Sequence, residues 1–94
     1  MKNIVDRIGL PALLEQTAEE CAELAHACLK EARRLRGENP TPCTAGECKA
    51  AIMEEMADVA LCLDMLDNSD YVLDPIIAKA KLDRWSRRLD DAGK

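Results

Sequence analysis

Two short acidic clusters, each inside an apolar helical pattern, constrain this chain more than any other feature. They occupy residues 19–23 (EECAE) and 54–58 (EEMAD). Side chains three or four positions apart share one face of an α-helix, so each cluster presents its acids together. Ionised carboxylates among apolar neighbours lose favourable hydration unless a positive charge compensates. The clusters therefore need a partner, and a bound cation is the simplest one.

Apolar residues recur at helical spacing on both sides of a proline-containing loop. The first run begins after Pro11, which suits the first turn of a helix, and ends near Arg36. Residues 37–43 contain two prolines and a glycine and cannot continue the helix. Thr44 and Glu47 have the spacing of a capping box. The sequence therefore predicts a second helix that begins at this point.

A third, shorter helix is predicted near the end of the chain. Asp74 followed by Pro75 is typical of a helix cap and first helical position, and the apolar pattern continues to Leu89. Residues 1–12 are expected to form a lead-in with at most a loose helical turn. Residues 90–94 are expected to fray.

The fold class predicted from these patterns is all-α. Residues 1–94 form a single domain in which two long antiparallel helices are joined by the loop and accompanied by the shorter third helix. No stretch alternates as a strand would. Three such helices leave an apolar face uncovered, so we expect a homodimer or homotetramer that completes a core like a four-helix bundle.

Charge and composition exclude several functions. The formal net charge of −5 argues against a general nucleic-acid binder, which needs a basic surface to displace counterions from phosphates. No signal peptide, membrane span or lipidation motif is evident in the sequence. We expect a protein that stays in the cytoplasm and binds neither nucleic acid nor membrane.

The five cysteines fall into two groups. Cys21, Cys28 and Cys62 lie in apolar helical stretches, where a thiol acts as a small buried hydrophobe. Cys43 and Cys48 bracket the loop and the start of the second helix and are expected to be solvated thiols. Their spacing is weak evidence for zinc, because a structural zinc site needs four such ligands.

The two clusters contain four acids that suit a divalent metal. Glu20 and Glu23 are three positions apart, as are Glu55 and Asp58. If their helices are antiparallel, the four carboxylates converge on one point. Hard oxygen ligands favour Mg²⁺ or Mn²⁺ over zinc, and a Mg²⁺ ion that keeps several waters commonly binds substrate phosphates. Metal-dependent hydrolysis of a nucleotide follows as the expected chemistry.

The same residues carry a family resemblance. The motifs E-x-x-E at residues 20–23 and E-x-x-D at residues 55–58, with their wider contexts AEECAELA and EEMADV, resemble the MazG-like nucleotide pyrophosphohydrolases, an all-α superfamily. The similarity extends from about Leu14 to Leu89, although the connection between the motifs is longer than usual. It implies a hydrolase in which metal-activated water attacks the α-phosphate of a nucleoside triphosphate, giving the monophosphate and pyrophosphate.

The resemblance also implies roles for individual residues. Mg²⁺, or Mn²⁺ in its place, would be held by the four motif acids Glu20, Glu23, Glu55 and Asp58. Glu19 and Glu54 would support catalysis by orienting the ligands or the attacking water. The phosphates would be bound by the basic residues Lys81 and Arg84, with Lys30 and Lys79 as further candidates.

Other residues have both structural and functional interpretations. Trp85 and Tyr71 are the only aromatic residues, and Trp85 is expected to anchor the core rather than to stack on a base. His26 is expected to be a hydrogen-bonded structural histidine. Lys81 and Arg84 could equally lie on a solvated helix face. The alternatives to an enzyme are a non-catalytic helical module that binds nucleotide or metal within an oligomer, and a purely structural bundle with solvated acids.

Overall fold

The structure is a computed structural model that describes residues 3–37 and 40–94. Four helices follow one another within these residues: α1 (Ile4–Ile8), α2 (Leu10–Arg36), α3 (Ala45–Asp67) and α4 (Pro75–Asp91). The described part of the chain contains no strand. The all-α prediction is confirmed, together with the two long helices and the shorter helix near the end.

The lead-in is more ordered than the sequence suggested, because it contains a short helix of its own. The side chain of Asn3 caps α1 by accepting a hydrogen bond from the backbone N–H of Asp6 at 2.8 Å. Gly9 then adopts a φ of 86°, a value that residues with a Cβ atom rarely adopt, and separates α1 from α2. Pro11 lies in the first turn of α2, as predicted.

The predicted caps of the later helices are present. Thr44 Oγ1 accepts a hydrogen bond from the Glu47 N–H, and Glu47 Oε1 accepts one from the Thr44 N–H, each at 3.1 Å. The Asp74 side chain accepts a bond from the Ile76 N–H at 2.9 Å and so caps α4. This last helix continues to Asp91 and therefore includes two residues of the expected frayed tail.

Helices α2 and α3 pack against each other and run in opposite directions. Glu20 on α2 approaches Asp58 on α3, whereas Ala27, farther along α2, shares a small cavity with Cys48, near the start of α3. The residue numbers thus rise along α2 as they fall along α3. This antiparallel packing brings the two acidic clusters to the same level, as the sequence analysis required.

The core that this packing creates is small. Leu13, Cys48 and Cys62 are the apolar residues classed as buried in the described part of the chain. The continuous apolar pattern of α3 is typical of a helix contacted on most sides, whereas one chain leaves much of this helix exposed. Met53, Met56 and Leu61 of α3 are more than half exposed.

Helix α4 extends away from the α2–α3 pair. Every residue from 70 to 94 is exposed, and Trp85 has an exposed fraction of 63%. Trp85 is therefore not a core anchor within the single chain, contrary to expectation. The radius of gyration is 17.1 Å, whereas a compact chain of this length would have about 12 Å. The chain thus leaves much apolar surface open to water.

The cysteines differ from the prediction at four positions. Cys43 and Cys48 form a disulfide rather than two solvated thiols, so the connecting loop is tied to the first turn of α3. Of the three free cysteines, Cys62 is buried, whereas Cys21 and Cys28 are exposed. Cys21 and Cys28 are exposed because α2 packs against one long helix, α3, and its other faces are open to solvent.

Candidate functional site

The four motif acids meet between α2 and α3. Each of Glu20, Glu23, Glu55 and Asp58 offers a carboxylate oxygen, and these four atoms all lie within 4.8 Å of one another. We refer to these residues as the acid cluster. Glu20 and Glu55 are half-buried, whereas Glu23 and Asp58 are exposed. The antiparallel pairing of two i, i+3 pairs thus produces a compact group of acids, two of which are exposed to solvent.

Within the described residues, no cation neutralises the acid cluster. The ion pairs there join Arg34 to Glu31 within α2 and Lys79 to Asp83 within α4. Glu20 Oε2 and Glu55 Oε2 are both buried and lack a hydrogen-bond partner. A buried carboxylate oxygen without a donor is costly. The negative charge of the acid cluster is therefore not compensated by the described residues, as the sequence indicated.

Burial and crowding raise the pKa of Glu20. The principal cause is removal from water, and the nearby charges of Glu23 and Asp58 add to it, as does a hydrogen bond with the Asp58 side chain. Gln16 opposes the effect by donating a hydrogen bond from Nε2 to Glu20 Oε1 at 2.7 Å. Glu20 is thus held in place by an amide donor one turn earlier on α2.

Glu55 has a similar environment on the facing helix. Its pKa is raised first by removal from water, then by the charge of Glu23 and a hydrogen bond with the Glu23 side chain. The charges of Asp58 and Glu20 contribute further. Acids that share a site in this way favour holding a proton between them or binding a positive ion.

The other predicted site residues lie outside the acid cluster. Glu19 and Glu54 are exposed neighbours of the clustered acids in sequence and are not among the four grouped ligands. Lys81 and Arg84 lie on α4, which does not pack against α2 or α3. Lys30 lies on α2, seven positions beyond Glu23, and lines a cavity with Arg33 and the loop.

Two remaining candidates are solvent-exposed. His26 has no hydrogen-bond partner among the described residues, so the prediction of a hydrogen-bonded structural histidine is wrong. It lines the same cavity as Lys30. Tyr71 and Trp85 are both exposed and lie outside the α2–α3 pair. Neither ring forms a platform beside the acid cluster within one chain.

Sequence reasoning missed two side chains near these groups. Gln16 holds Glu20, and its position four residues earlier on a helix is a signal that the sequence already contained. Arg33 lines the cavity beside Lys30. Four basic residues crowd the end of α2, where cations suit the helix dipole, so the sequence alone does not single out Arg33.

Comparisons of the chain with protein-family models, with curated proteins and with solved structures found no match. Among the described helices, none combines the length and the apolar character that a bilayer-spanning segment needs.

Proposed function

We propose that this protein is a Mg²⁺-dependent nucleoside triphosphate pyrophosphohydrolase that converts a nucleoside triphosphate and water into the monophosphate and pyrophosphate. The observation that carries the proposal is the acid cluster, in which two helices bring four carboxylate oxygens within 4.8 Å of one another. The motif resemblance adds support, because it involves the same four residues.

The acid cluster has the chemistry of a hard divalent-metal site. Its ligands are all carboxylates, which Mg²⁺ and Mn²⁺ prefer. Two of its oxygens, Glu20 Oε2 and Glu55 Oε2, are buried without a donor. A cation held by Glu20, Glu23, Glu55 and Asp58 would satisfy both oxygens. When bound, it would supply charge neutralisation for the phosphates and lower the pKa of a bound water.

The neighbouring side chains have roles consistent with this site. Gln16 fixes the orientation of Glu20 and so limits how far that carboxylate can turn. Glu19 and Glu54 are exposed beside the cluster and are our candidates for accepting a proton from the attacking water. Substrate would enter from the solvent-exposed side of the cluster, which Glu23 and Asp58 form.

We further propose that the working form is a homodimer or homotetramer. Helix α4 carries five Lys or Arg residues against three Asp residues, whereas α3 carries six acids against one Lys. Opposite charges of this kind favour packing of α4 from one chain near α2 and α3 of another. Such packing would bring Lys81 and Arg84 toward the phosphates, which they do not approach within one chain.

The test is an activity screen over canonical and damaged nucleoside triphosphates with Mg²⁺ or Mn²⁺, with both pyrophosphate and monophosphate measured. We expect equal amounts of the two products from at least one nucleotide. Glu23→Gln and Asp58→Asn should each lower the rate by more than the roughly 10–100-fold that loss of an outer partner costs. EDTA should abolish the reaction.

Matched controls are available on the same helices. Glu15→Gln on α2 and Asp64→Asn on α3 remove exposed acids outside the cluster and should leave the rate unchanged. Hydrolysis that survives Glu23→Gln and Asp58→Asn would refute the assignment of these ligands. Release of orthophosphate in place of pyrophosphate would refute the proposed bond cleavage.

The second candidate is a non-catalytic helical module that binds metal or nucleotide within an oligomer. The exposed apolar residues of α4 favour it, because an interaction subunit needs such a surface. Calorimetry separates the two proposals. Binding of Mg²⁺ or nucleotide by wild-type protein, lost in Glu23→Gln but accompanied by no product, would support the module.

A further inference from the structure

A second charged site lies beyond the acid cluster on the same face of α2. His26, Lys30 and Arg33 follow one another at intervals of four and three residues, so their side chains lie along one face of the helix. The other wall comes from the loop before α3. Together they enclose a cavity of about 420 Å³ lined by His26, Lys30, Arg33, Pro40, Thr41 and Pro42.

The cations of this cavity differ from Arg34, which lies beside them on α2. Arg34 is neutralised by Glu31, with 2.6 Å between Nε and Oε1. Lys30 and Arg33 make no ion pair or hydrogen bond in the described part of the chain. No carboxylate among the described residues lines the cavity. Within the part of the chain that the structure describes, the positive charge of this face is not neutralised.

The nearest described acid on α3 is already satisfied. Glu47 accepts the backbone N–H of Thr44, which is the main reason for its lowered pKa, and the charge of Lys30 contributes least among the causes. Lys30 lines two adjacent cavities. Glu47 lines one of them, and Arg33 lines the other. Lys30 thus retains donors for an anion on its other side.

The loop wall has a defined position. Pro40 and Pro42 have fixed φ angles, which limit the conformations of this segment. The disulfide between Cys43 and Cys48 ties the next residue to α3. A concave site needs two walls held at a constant separation. Here one wall is a long helix and the other is a proline segment linked covalently to the second helix.

We propose that this cavity, which we name the α2 anion site, binds a phosphoryl anion through His26, Lys30 and Arg33 without a metal. Guanidinium and ammonium groups give charge-assisted hydrogen bonds to phosphate oxygens. A histidine N–H adds a donor of the kind that phosphates accept. The described lining contains no Phe, Tyr or Trp ring, which favours a phosphate group over a base.

The α2 anion site has a defined relation to the acid cluster. Lys30 is seven residues beyond Glu23, so it lies about 10 Å farther along the helix axis. If the proposed function is correct, this distance places the α2 anion site where phosphates beyond the metal would lie. That role rests on the proposed function, whereas anion binding itself does not.

The experiment is a titration of wild-type protein with pyrophosphate in the presence of EDTA, followed by calorimetry and by amide chemical shifts. We expect binding, with shift changes in the α2 anion site. Lys30→Gln and Arg33→Gln should each weaken it about tenfold, which is the effect of losing one charge-assisted hydrogen bond. A nucleoside monophosphate should bind through the same residues, and the corresponding nucleoside should not bind.

Arg36→Gln is the matched control, because Arg36 lies on α2 but not in the cavity. It should weaken pyrophosphate binding by less than about twofold, as expected for an exposed charge. Gln is a good helix former, and circular dichroism verifies each fold. An equal loss in Arg36→Gln, no loss in the other two variants, or no binding by wild type would overturn the proposal.

Acid-cluster variants distinguish the two proposals. Glu23→Gln should leave pyrophosphate binding in EDTA no weaker than in wild type, because it removes a negative charge near the site. Wild-type protein that binds pyrophosphate in EDTA but hydrolyses no nucleotide in Mg²⁺ would support the α2 anion site and refute the proposed activity. Loss of EDTA-insensitive binding in Glu23→Gln would refute the α2 anion site as a separate metal-free site.

Discussion

The four acids of the cluster differ in how far water reaches them. Glu20 and Glu55 are half-buried, and each has one oxygen that is buried without a donor. Glu23 and Asp58 are exposed and lie within hydrogen-bonding contact of the half-buried pair. Removal from water, and then charge repulsion, therefore raises the pKa values of Glu20 and Glu55, and these two carboxylates should contribute strongly to the pH dependence of the metal-free protein.

We predict that Glu55→Gln stabilises the metal-free protein at pH 7.5, the chosen working pH, and does so less below pH 4. A carboxyl with a raised folded pKa contributes stability that is fully present below its ordinary pKa of about 4.3 and is lost as pH rises through the folded pKa. Glutamine keeps the neutral form at every pH. Thermal unfolding in EDTA measures the effect, and Glu15→Gln is the exposed control. A lower melting temperature for Glu55→Gln at pH 7.5 would contradict the prediction.

Among the elements, the segment just before α3 is linked covalently to that helix. The disulfide joins Cys43 to Cys48 across five sequence positions. The capping box at Thr44 and Glu47 lies inside the closed ring. Disulfides are rare in reducing compartments, so the state of this pair depends on where the protein resides. Its reduction would release the loop wall of the α2 anion site.

We predict that reduction lowers the free energy of unfolding by about 2 kcal/mol, the value expected from loop entropy for a ring of this size. Denaturant unfolding with and without a thiol reductant measures the difference. The Cys43→Ser/Cys48→Ser variant should not respond to the reductant, although loss of the buried Cys48 thiol lowers its own stability. A response of that variant equal to the wild-type response would assign the effect to the other cysteines.

At the scale of the whole molecule, several large apolar side chains of the described residues are exposed to water. Ile76 has an exposed fraction of 79% and Trp85 one of 63%, and Leu61 on α3 has 62%. The buried core consists of a few residues between α1, α2 and α3. Covering these surfaces with another copy would provide the buried area that one chain lacks.

We predict that the protein self-associates and that Trp85→Glu weakens association by about 2 kcal/mol or more, roughly 30-fold. Sedimentation measures the equilibrium. Trp85 is the only tryptophan, so its fluorescence should shift to shorter wavelength as concentration rises. Ser86→Glu adds the same charge at the next position without removing apolar surface and should have the smaller effect. A wild-type protein that stays monomeric at high concentration would contradict this prediction.

Local rules determined much of this protein from sequence alone. The caps at Thr44 and Asp74 and the start of α2 near Pro11 were predictable, because capping depends on residues within one turn. The i, i+3 acids predicted which carboxylates share a face, since helix geometry is regular. The grouping of Glu20, Glu23, Glu55 and Asp58 needed only the further assumption of antiparallel helices.

Tertiary structure decided what depends on neighbours distant in sequence. Helical periodicity identifies an apolar face but not what covers it. Trp85 was therefore expected to be buried, whereas α4 leaves it exposed in the single chain. Pairing of Cys43 with Cys48 depends on the path of the loop. The cavity between His26 and the prolines likewise requires the fold of the connection back over α2. Sequence thus determined the helices and their acids, and packing determined which charges remain without partners.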